Sequence, residues 1–85
     1  MKDTSTTPEI EVGKPYVARK DGQPLFGGFA VAVVNHEEPF ALVELLTRRN
    51  IVSRIDTSEV ELKAVPEGVL LTHEAAALKE IRRRT

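Results

Sequence analysis

The stretch VVNHEEPFALVELLTRR (residues 33–49) decides the fold, because its second half fits both a helix and a strand. Apolar residues recur in it at helical spacing, and Glu44 stands four residues before Arg48, which is the favourable order for an ion pair on a helix. We therefore predict a helix over residues 40–50. The alternative is a strand, since FALVELL is rich in Phe, Val and Leu, and it would give a small SH3-like barrel instead.

A similar pattern returns near the end of the chain as LLTHEAAALKEIRRR (residues 70–84). Thr72 is a good N-cap residue, and we predict a second, lightly docked helix whose narrow apolar face holds Ala75, Leu78 and Ile81. Because of the helix dipole, acidic residues are preferred near the start of a helix and arginines near its end. This preference explains most of the similarity between the two segments. A true internal duplication stays open.

The remaining segments predict strands. Asp21 and Gly22 tolerate positive φ and predict a hairpin turn between YVARK and LFGGFAVAVV, which is apolar on both faces. IVSRI is a short candidate strand, and DTS after it is a turn. EVELKAV (residues 59–65) alternates apolar and polar side chains, and we predict that it pairs antiparallel with residues 69–71 after the PEG turn.

Together these segments predict an α+β fold with a small sheet of four or five mostly antiparallel strands and two helices, in a ββα-ββα-like order. We expect a single domain over residues 9–85. Residues 1–8 carry no apolar anchor after the first methionine, and we expect them to form a disordered tail.

Composition excludes several classes of protein. The 85 residues include no cysteine, so a disulfide framework and a thiolate zinc site are excluded. The net charge is −1, so no overall basic field attracts nucleic acid, although a local basic patch is compatible with it. No window has the apolar length of a membrane span, and we expect a cytoplasmic protein without a membrane partner.

The titratable residues predict no catalytic site, no cofactor and no metal. His36-Glu37 and His73-Glu74 have suitable residue types for a metal, but nothing in their spacing brings them together. No acid, base and nucleophile converge in the pattern, so we do not expect an enzyme.

Arginines mark a candidate nucleic-acid site. If both predicted helices lay parallel on one face of the sheet, their basic ends would meet and could bind phosphates. This alternative function involves Arg48, Arg49, Arg82, Arg83 and Arg84.

The sequence favours a small non-enzymatic protein–protein interaction domain. The two-sided apolar strand has one face for the helices and another for a partner, and self-association as a homodimer, through that face or an open sheet edge, is the simplest form. The candidate interface residues are Phe29, Ala30, Ala32 and Val34.

Overall fold

The computed structural model describes residues 10–48 and 51–84, so the predicted tail lies outside the described residues. The elements are β1 (Pro15–Lys20), β2 (Gln23–Pro24), β3 (Val31–Glu37), β4 (Phe40–Leu45), β5 (Val52–Asp56), β6 (Glu61–Ala64) and the helix α1 (Thr72–Arg84). Two single 3₁₀ turns, Phe26–Gly28 and Glu67–Val69, precede β3 and α1. The class is α+β, as predicted.

All described strand pairs are antiparallel, and they form one curled sheet that resembles a half-barrel. Strands β3, β4 and β5 follow one another as neighbours. Strand β1 pairs with β3 and the short β2 along one side and with β6 along the other. Within the described residues, β5 and β6 therefore pair on one side each and form the two ends of the sheet.

The predicted helix over residues 40–50 is wrong, because residues 40–45 form strand β4. Ala41, Val43 and Leu45 alternate with the other side chains and enter the interior of the curled sheet. The apolar residues of FALVEL fit both the three- to four-residue repeat of a helix and the two-residue repeat of a strand. The segment adopts the strand because it is paired and buried between two neighbouring strands. The two-helix, ββα-ββα-like order is wrong for the same reason.

The similarity between the two His-Glu segments therefore does not extend to structure. The first segment is a β-hairpin, in which β3 turns into β4, whereas the second leads through a 3₁₀ turn into α1. Two copies of a true repeat would be expected to share the same secondary structure. Preferences at helix ends explain the second segment, and strand pairing explains the first.

The predicted turn at Asp21 and Gly22 is confirmed. Both residues have positive φ, 54° and 77°, and Lys20 pairs with Gln23 across the turn. The returning strand, however, is only the two residues of β2, after which the chain makes the Phe26–Gly28 turn before entering β3.

The predicted pairing of residues 59–65 with residues 69–71 is wrong. Strand β6 pairs with β1 instead, with Leu62 opposite Ala18. Strand β1 offers β6 four paired residues, more than residues 69–71 could offer, and residues 67–69 form a 3₁₀ turn instead of a strand.

Helix α1 is well docked on the sheet, contrary to the predicted light contact. Leu78 and Ile81 are almost fully buried and pack with Ala32 of β3 and Leu46, which follows β4. The sheet interior forms a second cluster on the opposite face, around Val31, Val33 and Val43. Among the described residues, no helix is long and apolar enough to cross a bilayer.

The start of α1 differs from the prediction by one residue. The N–H of Ala75 donates to the carbonyl of Leu71 at 2.9 Å, which makes Leu71 rather than Thr72 the N-cap. A carboxylate oxygen of Glu74 accepts the N–H of Leu71 at 2.9 Å. Glu74 thus supplies one half of a capping box and explains why a carboxylate is buried there.

Candidate functional site

The free edge of β5 carries backbone groups that point away from the sheet. Leu45 N–H donates to the carbonyl of Ile51, and Thr57 N–H donates to the carbonyl of Pro39. In an antiparallel ladder, hydrogen-bonded residues alternate with residues whose N–H and C=O point the other way. The register therefore directs the N–H and C=O of Val52 and Arg54 outward, away from β4.

Exposed apolar side chains accompany this edge. Val52 is 50% exposed, Ile51 is 41% exposed, and Phe40 on the neighbouring strand is 40% exposed. Because alternate residues of a strand face opposite sides, Val52 lies on the outer face of the sheet, whereas Ile51 faces the interior side at its open margin. Apolar exposure beside unpaired backbone is the combination that favours strand addition.

An open depression of about 490 Å³ extends the edge onto the outer face at the tip of the β3–β4 hairpin. The guanidinium of Arg54 lies 4.8 Å from the centre of the Phe40 ring, within cation–π distance. This contact places the charged end of Arg54 over the outer face of the sheet. The lining residues include Asn35, Glu37, Phe40, Leu42 and Arg54. The depression thus combines apolar surface with charges of both signs.

A side-chain-capped turn closes the far end of the β5 edge. The carboxylate of Asp56 accepts hydrogen bonds from the backbone N–H and the hydroxyl of Ser58, at 2.9 and 2.6 Å, and these bonds hold the pKa of Asp56 below its ordinary value. The carbonyl of Asp56 accepts the N–H groups of Glu59 and Val60. Both lone pairs of that carbonyl are occupied, so the outward acceptors that remain along the edge, within residues 10–48 and 51–84, are those of Val52 and Arg54.

The other end of the sheet, β6, is a poorer docking edge. Its exposed side chains are Glu61, Lys63 and Ala64, while Leu62 is buried. Exposed charges of opposite sign along an edge strand are a common protection against strand addition. We designate residues 51–54, together with Phe40, as the β5 edge site.

The four interface residues predicted from sequence are divided by the fold. Ala30 and Ala32 are buried beneath α1, and Val34 is partly buried against the same cluster. Phe29 is exposed, because the chain leaves the 3₁₀ turn before β3 begins. The face assigned to a partner is thus covered by this chain's own helix, and its interaction role stays a prediction.

The described arginines at the end of α1 already contact carboxylates. Arg82 makes a two-pronged contact with Glu67 and donates its Nε to the carbonyl of Gly13 at 2.8 Å. Arg82 holds the pKa of Glu67 below its ordinary value.

Arg83 and Arg84 also contact carboxylates. Arg83 lies 3.6 Å from Glu80. Arg84 reaches the buried carboxylate of Glu44 at 3.2 Å, so Glu44 has a partner in α1 and not the predicted i,i+4 arrangement on a helix. Arg48 is exposed in a bend after β4. Arg49 lies outside the described residues, so the structure does not bring the whole predicted set together.

The two histidines lie on different elements. His36 is on β3, with its Nε2 3.9 Å from a carboxylate oxygen of Glu38, and His73 is in the first turn of α1. Over residues 10–48 and 51–84, no group of three or more His, Cys, Asp or Glu side chains is close enough to hold a metal ion.

Sequence reasoning proposed a sheet edge but did not identify which one. IVSRI predicts a strand, and the DTS turn after it is confirmed, but neither says on which side the strand is paired. The two adjacent apolar residues Ile51 and Val52 at the start of this strand were the available signal in the sequence.

No family model, curated protein or solved structure matches this chain.

Proposed function

We propose that this chain is a small non-enzymatic protein–protein interaction domain that self-associates through the β5 edge site. The observation that carries the proposal is the outward direction of the backbone groups of Val52 and Arg54 beside exposed apolar side chains. Main-chain hydrogen bonds would supply affinity, and the neighbouring side chains would supply specificity. The proposal retains the sheet edge of the sequence-based hypothesis and leaves aside the face covered by α1.

A finer description of the fold belongs to the same proposal. We propose a small SH3-like barrel with a C-terminal helix, supported by the meander β3–β4–β5 and by the return of β6 to β1. Many unrelated functions share such barrels, so the functional argument rests on the edge alone.

Nucleic-acid binding receives less support from the geometry. A phosphate would have to displace Glu67 from Arg82 and Glu44 from Arg84, or bind beside them. Arg83 is the most exposed of the three, at 75% of its side chain, and it has Glu80 nearby. This function therefore stays the alternative prediction, tested by titration with short oligonucleotides at low and moderate salt.

The test of self-association is sedimentation velocity over a wide range of protein concentration, with Val52→Lys as the variant. A lysine at position 52 places a second cation beside Arg54 and removes apolar surface from the edge, so we expect the dimer to dissociate at lower concentration. Val69→Lys is the matched control, since Val69 is an exposed valine in the Glu67–Val69 turn.

Three results of the sedimentation experiment bear on self-association through this edge. Self-association that Val52→Lys weakens and Val69→Lys leaves unchanged supports the proposal. An unmodified protein that sediments as a monomer at every concentration contradicts it. Equal effects of the two lysines would mean that association does not use this edge.

A further inference from the structure

We infer that the occupant of the β5 edge site is β5 of a second copy, paired antiparallel about a two-fold axis at Ser53. This inference rests on the proposed function and goes beyond it by fixing the partner and the register. In this arrangement Ser53 lies opposite Ser53 of the second copy, and the two curled sheets continue into each other.

Backbone groups select this register. A two-fold axis at Ser53 sets Val52 opposite Arg54 of the second copy, and these are the two residues whose N–H and C=O point outward. Each such pair exchanges two hydrogen bonds, and the two-fold axis repeats the pair. The edge is thus complementary to itself, with donors and acceptors both matched.

Axes at Arg54 and at Ile55 give less favourable registers. An axis at Arg54 would place two guanidinium groups directly opposite each other, which is destabilising on a sheet. An axis at Ile55 would need the carbonyl of Asp56, which already accepts the N–H groups of Glu59 and Val60. Of these three registers, the Ser53 axis is the one that uses outward backbone groups of the described residues without placing like charges opposite each other.

Side-chain contacts on the interior side of the sheet favour the same register as the backbone groups. With the axis at Ser53, the exposed Ile51 lies opposite Ile55 of the second copy, so apolar side chains meet at the open margin of each half-barrel. An axis at Arg54 would instead set Ser53 opposite Ile55. The Ser53 register therefore removes the exposed Ile51 from water, which favours association.

On the outer face, Val52 lies beside the aliphatic stem of Arg54 of the second copy. Long basic side chains cover apolar neighbours in this way while their charged ends stay in water. The guanidinium of Arg54 lies over its own Phe40 on this same outer face before the copies meet. The exposed Phe40 and Val52 of both copies then share one continuous face.

Disulfide formation between single introduced cysteines tests the register, because the chain has no cysteine of its own. In Ser53→Cys, the two copies of the residue form a non-hydrogen-bonded pair with Cα atoms about 4.5 Å apart, within the range that a disulfide spans. In Arg54→Cys, the two copies lie diagonally, about 7–8 Å apart, which is too far. Val69→Cys controls for random collisions.

We expect Ser53→Cys to form a covalent dimer under mild oxidation at least about tenfold faster than Arg54→Cys or Val69→Cys, because only its geometry suits the bond. An excess of the unmodified protein should slow the reaction, since it competes for the edge. The reduced Ser53→Cys protein must unfold at the same temperature as the unmodified protein, which establishes that the fold is kept.

The other outcomes separate the inference from the proposed function. Fastest cross-linking by Arg54→Cys overturns the register but keeps pairing at β5. A dimer that Val52→Lys weakens, with neither cysteine cross-linking faster than Val69→Cys, overturns the two-fold β5 pairing and leaves the edge in use. A protein that stays monomeric but binds an extended peptide at β5 overturns the choice of a second copy. A monomer that binds nothing there removes the proposed function as well.

Discussion

Truncation of Leu78 in α1 to alanine measures how strongly the helix is fixed to the sheet. Leu78 is 2% exposed and packs in the cluster with Leu46 and Ile81. Leucine-to-alanine changes at such sites cost about 2–5 kcal/mol, from lost apolar burial and from the cavity left behind. Small domains have only about 5–15 kcal/mol of stability in total, so the variant loses a large fraction of it.

For a domain of this size, about 1 kcal/mol corresponds to about 4–8 °C in Tm, so we expect Leu78→Ala to lower Tm by about 8–40 °C. Thermal unfolding followed by circular dichroism in the far ultraviolet measures this shift. The control is Lys79→Ala, the exposed neighbour on the same helix, which should change Tm little. A shift for Leu78→Ala no larger than that of Lys79→Ala would refute the docking of α1 on the sheet.

Arg82 holds the pKa of Glu67 below its ordinary value of 4.5. The ion pair therefore stabilises the fold above that pH, and this contribution is lost as the pH falls through the lowered pKa. In Tm measured as a function of pH, Glu67→Gln should thus show a smaller decrease on the acid side. Ala32→Glu should unfold the protein rather than split a dimer, because the carboxylate would be buried under α1, and retained helical circular dichroism would contradict this. In the proposed dimer the two Arg54 side chains lie about 7–8 Å apart across the axis, so salt should screen their repulsion and strengthen self-association. Oligonucleotide binding would instead weaken with salt. Sedimentation at two salt concentrations shows which direction holds.

Local signals in the sequence predicted much of the sheet. Asp21 and Gly22 specify their turn because few residue pairs accept two positive φ angles, and the structure has them there. The alternating pattern around Leu62 identifies β6, and the helical pattern with its arginines identifies α1. These features depend on neighbours within a few residues, which is the range over which a single sequence is informative.

Apart from the one-residue shift at the start of α1, the main errors concern contacts between distant segments. FALVEL satisfies a helical and a strand period equally, and its pairing with β3 and β5 decides between them. The pairing of β6 with β1 joins segments more than 40 residues apart, so no turn signal could indicate it. For the candidate site, the sequence supplied the strand, but its free side depends on which strands are already paired.

Amide hydrogen exchange at the four consecutive residues 52–55, measured by NMR at low and high protein concentration, tests the central claim most directly. Ser53 and Ile55 donate toward β4 within one chain, whereas Val52 and Arg54 point to the free edge. We predict that exchange at Val52 and Arg54 slows as the concentration rises, while Ser53 and Ile55 are protected throughout. Fast exchange at Val52 and Arg54 at every concentration would contradict pairing at the β5 edge.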